Sequence, residues 1–519
     1  MYRTKIAMKK IVSVTLALLL TVGLCACSAD YAADAESADN MALGGNYYAS
    51  ADMDAPAEAE DAMLGTEGES YTEIVENAFV STAQNATSYF SIDANTVSYP
   101  NLRSLIQNGY SVPADAVRVE EMLNYFDYDY ETPTDGALFT LNASVFDTPY
   151  NSETKLMTIG LAAQRVEFSE TKNNLVFLID TSGSMFSADK LALVQNAFMM
   201  LTENLNPEDR VSIVTYAGSQ RVALEGAYGH EKLKIAAVIE DLAAGGSTAG
   251  SAGITTAYQL AEKYFIKGGN NRVILATDGD FNVGVTDTDE LEQLISEKRQ
   301  SGVYFSVFGV GRGNLQAEKM ETLALNGNGT YSYIDSVNEA KRALVEQIGG
   351  SMITVAKDVK AGVIFNPDYV ESYRLIGYEN KLLTQEQFED DTTDAGELGS
   401  GHTVTVAYEI KLTDKALAAG ENLAQVTVKY KPTENVGGDA AEKALLLDIT
   451  TDTYHTEMTE TDTFVASVIE FALLLRDSVY KQNADFHALI TRMDELDLSA
   501  DAFKQEFRDL VNTYMEKVE

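Results

Sequence analysis

Four continuous apolar runs, separated by residues with helical periodicity, constrain the fold of this 519-residue chain more than any other feature. The runs are residues 175–179, 211–214, 273–276 and 303–308. Unbroken apolar runs of this length are typical of strands buried on both faces of a parallel sheet. The helical patterns between and after them cover residues 189–205, 252–265 and 287–301. We therefore predict a doubly wound, Rossmann-like α/β domain over residues 173–351.

Strand-like segments lie on both sides of this block, before it at residues 138–146 and 155–168 and after it at residues 359–365, 369–376, 403–412 and 423–430. We predict that residues 137–172 and 352–450 are two parts of one β-sandwich, into which the α/β domain is inserted. Residues 71–136 are predicted to form a small mixed domain, and residues 451–519 a helical tail. Helices are predicted in the mixed domain over residues 71–79, 101–107 and 117–126, with prolines between them.

The N-terminus has the pattern of an export signal. Lys9 and Lys10 precede an apolar run over residues 11–24, which is too short to span a membrane comfortably. The sequence Leu24-Cys25-Ala26-Cys27 resembles a bacterial lipobox, which implies removal of residues 1–26 and lipid attachment to Cys27. An ordinary signal peptide with incidental cysteines is the alternative. The protein is thus expected to be exported and lipid-anchored to the bacterial membrane, facing the exterior or the periplasm.

Charge and composition describe the segment that follows and limit the partners. Residues 27–70 are rich in Ala, Asp, Glu, Gly and Ser, and we predict a disordered acidic tether there. The formal net charge of the chain is -41, and no Lys or Arg occurs between Lys10 and Arg103. So acidic a surface argues against binding of nucleic acid and against binding of anionic lipid by charge.

Polar residues follow the predicted parallel strands, at the edge where doubly wound sheets bind their ligands. The first strand runs into Asp180-Thr181-Ser182-Gly183-Ser184, a later loop contains Thr248, and the strand at 273–276 runs into Asp278. Carboxylates and hydroxyls are hard oxygen ligands that suit Mg²⁺, Mn²⁺ or Ca²⁺. The sequence therefore predicts a site for a divalent cation, with the ligands Asp180, Ser182, Ser184, Thr248 and Asp278.

This pattern resembles the metal-ion-dependent adhesion site of von Willebrand factor type A (VWA) domains, in which Asp-x-Ser-x-Ser is followed by a Thr and an Asp. The resemblance covers residues 173–351 and implies that the two serine hydroxyls contact the metal, usually Mg²⁺, directly. The Thr and the two aspartates then bind directly or through water. One coordination position stays open for an acidic side chain of a protein partner.

A second resemblance covers residues 71–519. The segment from Phe90 to Tyr99, Phe-Ser-Ile-Asp-Ala-Asn-Thr-Val-Ser-Tyr, and the segment from Val117 to Phe126 resemble the N-terminal region of YfbK-like bacterial lipoproteins. In that family a VWA domain follows, and then a family-specific C-terminal domain. Position 95 is commonly Asp in the family, whereas this chain has Asn95.

The expected function is that of an envelope-anchored module that binds a protein or peptide through a divalent cation. No catalytic residue is assigned, because the chain lacks a Gly-x-Ser-x-Gly nucleophile motif and a Walker A lysine, and its four histidines are scattered singly. Two alternatives remain open. One is a structural or assembly component of an envelope complex, and the other is a hydrolase that uses the same ion to activate water.

Overall fold

The computed structural model describes residue 69 and residues 71–92, 94–134, 136–246, 250–279, 288–312, 316–438 and 440–518. Its strands are β1 (Val80–Ser81), β2 (Thr87–Ser91), β3 (Phe139–Asp147), β4 (Lys155–Ala163), β5 (Asn173–Asp180), β6 (Arg210–Tyr216), β7 (Gln220–Tyr228), β8 (Asn270–Thr277), β9 (Tyr304–Val310), β10 (Tyr331–Ile334), β11 (Thr354–Phe365), β12 (Val370–Ile376), β13 (Gly396–Gly399), β14 (Thr403–Leu412), β15 (Asn422–Pro432), β16 (Lys443–Thr450) and β17 (Tyr454–His455). Its α-helices are α1 (Ser98–Gln107), α2 (Val119–Asn124), α3 (Leu191–Glu203), α4 (Lys232–Glu240), α5 (Gly250–Lys263), α6 (Thr288–Lys298), α7 (Ala317–Asn326), α8 (Val337–Lys341), α9 (Ile348–Met352), α10 (Gln385–Glu389), α11 (Glu460–Leu475), α12 (Phe486–Asp494) and α13 (Ala502–Val518).

The central sheet has the strand order β10-β9-β8-β5-β6-β7, and all neighbouring pairs are parallel except β6 and β7. The four apolar runs of the sequence form β5, β6, β8 and β9, the inner strands of this sheet. Their side chains are buried because helices cover both faces. On one face Phe177 of β5 stacks on Phe198 of α3 with ring centroids 4.2 Å apart. On the other, Val176 and Leu178 pack in a core with residues of α5, α6 and α7. The predicted doubly wound α/β fold is confirmed.

Two further sheets are built from the segments that flank this domain in the sequence. One has the order β1-β12-β14-β4-β3-β17, and the other has the order β13-β11-β15-β16, with β2 also paired to β11. Strand β4, which precedes the central domain, pairs antiparallel with β14, which follows it. The two sheets share one core, in which Phe365 of β11 stacks on Tyr373 of β12 with ring centroids 4.1 Å apart.

The N-terminal segment joins these sheets and the C-terminal helices. Its strands β1 and β2 pair with β12 and β11, one in each sheet. Its helices α1 and α2 share an aromatic core with α11 and α13, where Phe126 lies 5.0 Å from Phe464 and 5.3 Å from Phe507 between ring centroids. The C-terminal region is helical, as predicted, with a break between α11 and α12.

The predicted helix over residues 71–79 is wrong, because this segment is irregular and leads into β1. Its polar groups bind to other parts of the chain instead of forming helical hydrogen bonds. The backbone N–H of Ile74 donates to the Asp115 carboxylate at 2.9 Å, and the Asn77 amide donates to the carbonyl oxygens of Leu375 and Gly377. Long-range contacts of this kind override a local helical pattern and cannot be read from the segment alone.

Candidate functional site

Asp180 and Asp278 lie at the same edge of the central sheet because the strands that precede them are parallel neighbours. Ile179 pairs with Ala276 in the register of β5 and β8. Asp180 therefore lies one residue beyond that pair, and Asp278 lies two residues beyond it. Both side chains are buried. The Thr277 hydroxyl donates a 3.1 Å hydrogen bond to Asp180 Oδ2, so the residue before Asp278 contacts the carboxylate of Asp180 directly.

Ser182 and Ser184 lie on the loop that follows β5. The backbone N–H of Ser182 donates to Asp180 Oδ1 at 2.8 Å, which folds the loop back onto the carboxylate. The hydroxyl oxygens of Ser182 and Ser184 lie 2.9 Å apart. The backbone N–H of Gly183 donates to the Gly246 carbonyl at 3.1 Å and so ties this loop to the one that precedes α5.

Four of the five predicted ligands are therefore found at one edge of the sheet, namely Asp180, Ser182, Ser184 and Asp278. Thr248 lies outside the described residues, and so does the predicted lipidation site, Cys27. Over the part of the chain that the structure describes, no three or more His, Cys, Asp or Glu side chains are grouped to hold a metal ion. A cation at this edge would thus depend on hydroxyl oxygens as well as on the two carboxylates.

The electrostatics of the site favour a bound cation. Burial raises the pKa of Asp180 above its ordinary value, and the negative charge of Asp278 raises it further, although hydrogen bonds from Ser182 and Thr277 act in the opposite direction. Two buried carboxylates that repel each other in this way are stabilised in their charged form by a nearby cation. The donor set of carboxylates and hydroxyls therefore fits a hard divalent ion such as Mg²⁺, Mn²⁺ or Ca²⁺.

Two residues at this edge were not identified from the sequence. Lys190 directly precedes α3, and its ammonium donates to Asp278 Oδ2 at 2.8 Å. Phe186, on the serine loop, is 85% exposed. A signal for Lys190 exists in the sequence. The N-terminal end of a helix carries a partial positive charge that repels a lysine, so a nearby anion that pairs with this lysine is expected. For Phe186 the sequence carries no comparable signal, because the adjacent Met185 is also a large apolar residue and is buried.

Comparison with known proteins identifies the central domain and the region after it. A family model described as von Willebrand factor type A domain matches residues 174–347, and a model described as "Uncharacterized protein YfbK, C-terminal" matches residues 350–516. A third model, described as von Willebrand factor, matches residues 65–158. "Uncharacterized protein YfbK" of Escherichia coli (strain K12) is 39% identical over 416 residues, which are 78% of this chain and 71% of that protein. The chain belongs to the YfbK family.

These matches confirm the predicted VWA domain and the resemblance to the YfbK family, and a VWA domain suggests a protein-interaction module. Solved structures similar to this YfbK-family chain include a von Willebrand factor type A protein from Catenulispora acidiphila, with 16% identity and a TM-score of 0.40, covering 76% of this chain and 89% of that one. Another is the conserved hypothetical protein BatB from Bacteroides thetaiotaomicron, with 20% identity and a TM-score of 0.29, covering 34% of this chain and 97% of that one.

A second polar cluster of this YfbK-family chain contains Ser144, His455 and Asp462, the residue types of a nucleophilic triad. The Ser144 hydroxyl donates directly to Asp462 Oδ1 at 2.7 Å, and His455 Nε2 lies 2.8 Å from the other oxygen of the same carboxylate. In a catalytic triad the histidine instead stands between the hydroxyl and the carboxylate and uses both of its nitrogens. Asp462 also completes a capping box with Thr459 at the start of α11, so this cluster serves as a helix cap.

Proposed function

We propose that the chain is an envelope-anchored module that binds a protein ligand through a divalent cation held by Asp180, Ser182, Ser184, Thr248 and Asp278. The observation that carries this proposal is the pair of buried carboxylates, Asp180 and Asp278, beside two serine hydroxyls at the ligand-binding edge of a VWA sheet. Burying two like charges is costly unless a counter-charge is supplied. Lys190 supplies one positive charge, to Asp278, and a divalent cation would supply the counter-charge that is still missing.

The donor set also suits the capture of an acidic ligand. Neutral hydroxyls contribute part of the coordination shell, so the ion keeps more of its positive charge than it would with carboxylates alone. A carboxylate from a partner protein is a hard oxygen ligand for the remaining coordination position. Mg²⁺ is the ion we propose, with Mn²⁺ and Ca²⁺ as substitutes.

Phe186 supports a protein rather than a small molecule as the ligand. The residue lies two positions after Ser184 on the same loop and exposes 85% of its side chain to solvent. Aromatic side chains are common anchors of protein interfaces. We propose that the partner places an acidic side chain on the cation and receives Phe186 in an adjacent apolar pocket.

The position at the envelope is part of the same proposal. Cys27 would carry the lipid, and residues 27–70 would hold the folded part away from the membrane surface. Among the described residues, no helix is both long enough and apolar enough to cross a bilayer. Labelling of cells with a lipid precursor would test the anchor, since Cys27→Ser would abolish incorporation and Cys25→Ser would not.

The central test removes Asp180. We expect Asp180→Ala to weaken Mg²⁺ binding, measured by calorimetry, by more than the ~10–100-fold that loss of an outer-shell partner costs. Asp189→Ala is the matched control, because Asp189 is an exposed carboxylate close by in the sequence. Ligand capture from envelope extract, identified by mass spectrometry, would fall to background in the Asp180 variant and in EDTA. Equal capture with and without EDTA would contradict the proposal and would favour a permanent component of an envelope complex.

A further inference from the structure

Lys190 is placed so that its side chain reaches the candidate metal site from the side of α3. Its ammonium lies 2.8 Å from Asp278 Oδ2, with only 10% of the lysine side chain exposed. Lysines are rarely buried unless they are paired, because removing the ammonium from water is costly. This pairing therefore offsets a substantial desolvation cost on both partners.

Gly311 provides the space through which Lys190 reaches Asp278. A Cβ atom at this position would lie 2.3 Å from Cγ of Lys190 and 2.5 Å from its Cε. The glycine also adopts a positive φ of 71°, a conformation that side chains disfavour. The chain just after β9 thus runs against the methylene groups of Lys190, and only a glycine at position 311 leaves room for them.

The three charged groups do not neutralise one another. Asp180 and Asp278 contribute two negative charges, and Lys190 contributes one positive charge that is already bonded to Asp278. A divalent cation that used Asp278 would have to displace this ammonium or stand beside it. Either arrangement lowers the affinity for the metal, through a lost ion pair or through repulsion between two cations.

We propose that Lys190 is a tethered cation that competes with the divalent ion for Asp278. The inference rests on the proposed metal site and adds how its occupancy is controlled. With Lys190 and a divalent ion both present the site carries one excess positive charge, which a carboxylate from the partner cancels. Metal and acidic ligand should therefore bind with positive coupling, each raising the affinity of the other.

The test compares full-length wild type with Lys190→Met and Lys190→Arg, titrated by calorimetry with Mg²⁺ alone. Met keeps the apolar length of the side chain and removes the charge, whereas Arg keeps the charge. We expect Lys190→Met to bind Mg²⁺ at least about tenfold more tightly, a factor that corresponds to about 1.4 kcal/mol. Lys190→Arg should stay within about threefold of wild type, a change of less than about 0.7 kcal/mol.

Thermal unfolding provides a second measurement on the same variants. Without metal, Lys190→Met leaves Asp278 without its lysine partner and should melt at a lower temperature than wild type. At the same high concentration of Mg²⁺, the melting temperature of Lys190→Met should rise more than that of wild type, because stabilisation by a ligand grows with the logarithm of its concentration divided by Kd. A smaller rise in Lys190→Met than in wild type would overturn the inference.

The outcomes separate this inference from the proposed function. Equal or weaker Mg²⁺ binding by Lys190→Met, with normal binding by wild type, overturns the competition and leaves the metal-dependent function standing. Tight binding by Lys190→Met with none by wild type supports the competition and contradicts a metal-dependent function of the natural chain. Absence of binding in both proteins overturns both.

Discussion

Two groups of buried charges, one at an edge of the central sheet and one around the start of α8, differ in how well their charges balance. At the ligand-binding edge, Lys190 pairs with Asp278, and burial together with the charge of Asp278 raises the pKa of Asp180. At the start of α8, two carboxylates and two arginines are paired with each other. Burial and a neighbouring carboxylate raise the pKa of Asp335 in the second group as well, so the two groups differ in their counter-charges and not in this shift. The difference in counter-charges indicates that the second group holds the fold together, and it supports the proposed cation at the first.

The balanced group consists of Arg103, Arg342, Asp335 and Glu339. Arg103 contacts Asp335 at 2.6 Å and Glu339 at 3.0 Å, and Arg342 contacts Glu339 at 2.7 Å. Arg103 also reaches Glu506 of α13, whose side chain is partly exposed and is stabilised by water as well. This group therefore connects α1 of the N-terminal segment, α8 of the VWA domain and the C-terminal helix α13.

The largest expected effect is a loss of stability when the ion pairs of the balanced group are removed. Arg103→Met would leave Asp335 and Glu339 with too little positive charge, and removing one partner of a buried ion pair typically costs about 3–5 kcal/mol. We expect the free energy of unfolding, measured by denaturant titration, to fall by this amount. Lys341→Met is the control, because Lys341 and Glu346 form an exposed pair on the adjoining turn that is worth less than about 1 kcal/mol. Equal losses in the two variants would show that the buried group does not hold the fold.

A smaller effect is expected at the surface, where two exposed apolar side chains can be compared. Phe186 lies beside the candidate metal site, and Leu233, on α4, is 89% exposed. If Phe186 anchors the partner, Phe186→Ala should weaken capture of the identified ligand at least about tenfold, in line with the roughly 2 kcal/mol of an interface hot spot. Leu233→Ala should leave capture unchanged. Binding assays in Mg²⁺ would measure both, and equal effects would remove Phe186 from the interface.

Much of the VWA domain could be predicted from the sequence because its signals are local. The buried strands of the central sheet are continuous apolar runs, and Asp180 and Asp278 come directly after two of them. Strands of this type end at one edge of the sheet, so their residue types were sufficient to place the two carboxylates together. The family resemblance also followed from short motifs.

The remaining features depend on contacts between residues far apart in the sequence. Lys190 meets Asp278 across 88 positions, and the space that it occupies is determined by Gly311, which is more than 100 positions away. The pairing of β4 with β14 spans the whole VWA domain in the same way. No periodicity or local motif records such contacts. For the same reason the sequence predicted a helix over residues 71–79, where long-range hydrogen bonds hold an irregular segment instead.

The smallest expected effect concerns Asp180, which belongs to the group with Asp278 and Lys190, in the absence of metal. The pKa of Asp180 is raised, so the folded state holds its proton to a higher pH than the unfolded state, and stability falls as pH rises above the ordinary value of about 4. Asp180→Asn removes this penalty. In EDTA at pH 7 we expect the variant to be as stable as wild type or more stable by up to about 1 kcal/mol, a gain that disappears toward pH 4.

Glu339→Gln is the matched substitution in the balanced group and should act in the opposite direction. Burial alone would raise the pKa of Glu339, but Arg342 and Arg103 outweigh it and lower the pKa below its ordinary value. The charged form of Glu339 therefore stabilises the fold above pH 4.3 or so, and that contribution is lost as pH falls through the lowered pKa. Denaturant titrations of both variants from pH 7 to below pH 4 would measure the contrast. A loss of stability in Asp180→Asn as large as that in Glu339→Gln would make Asp180 a structural residue. Its carboxylate would then stabilise the fold without a metal ion, and its burial would no longer support a metal site.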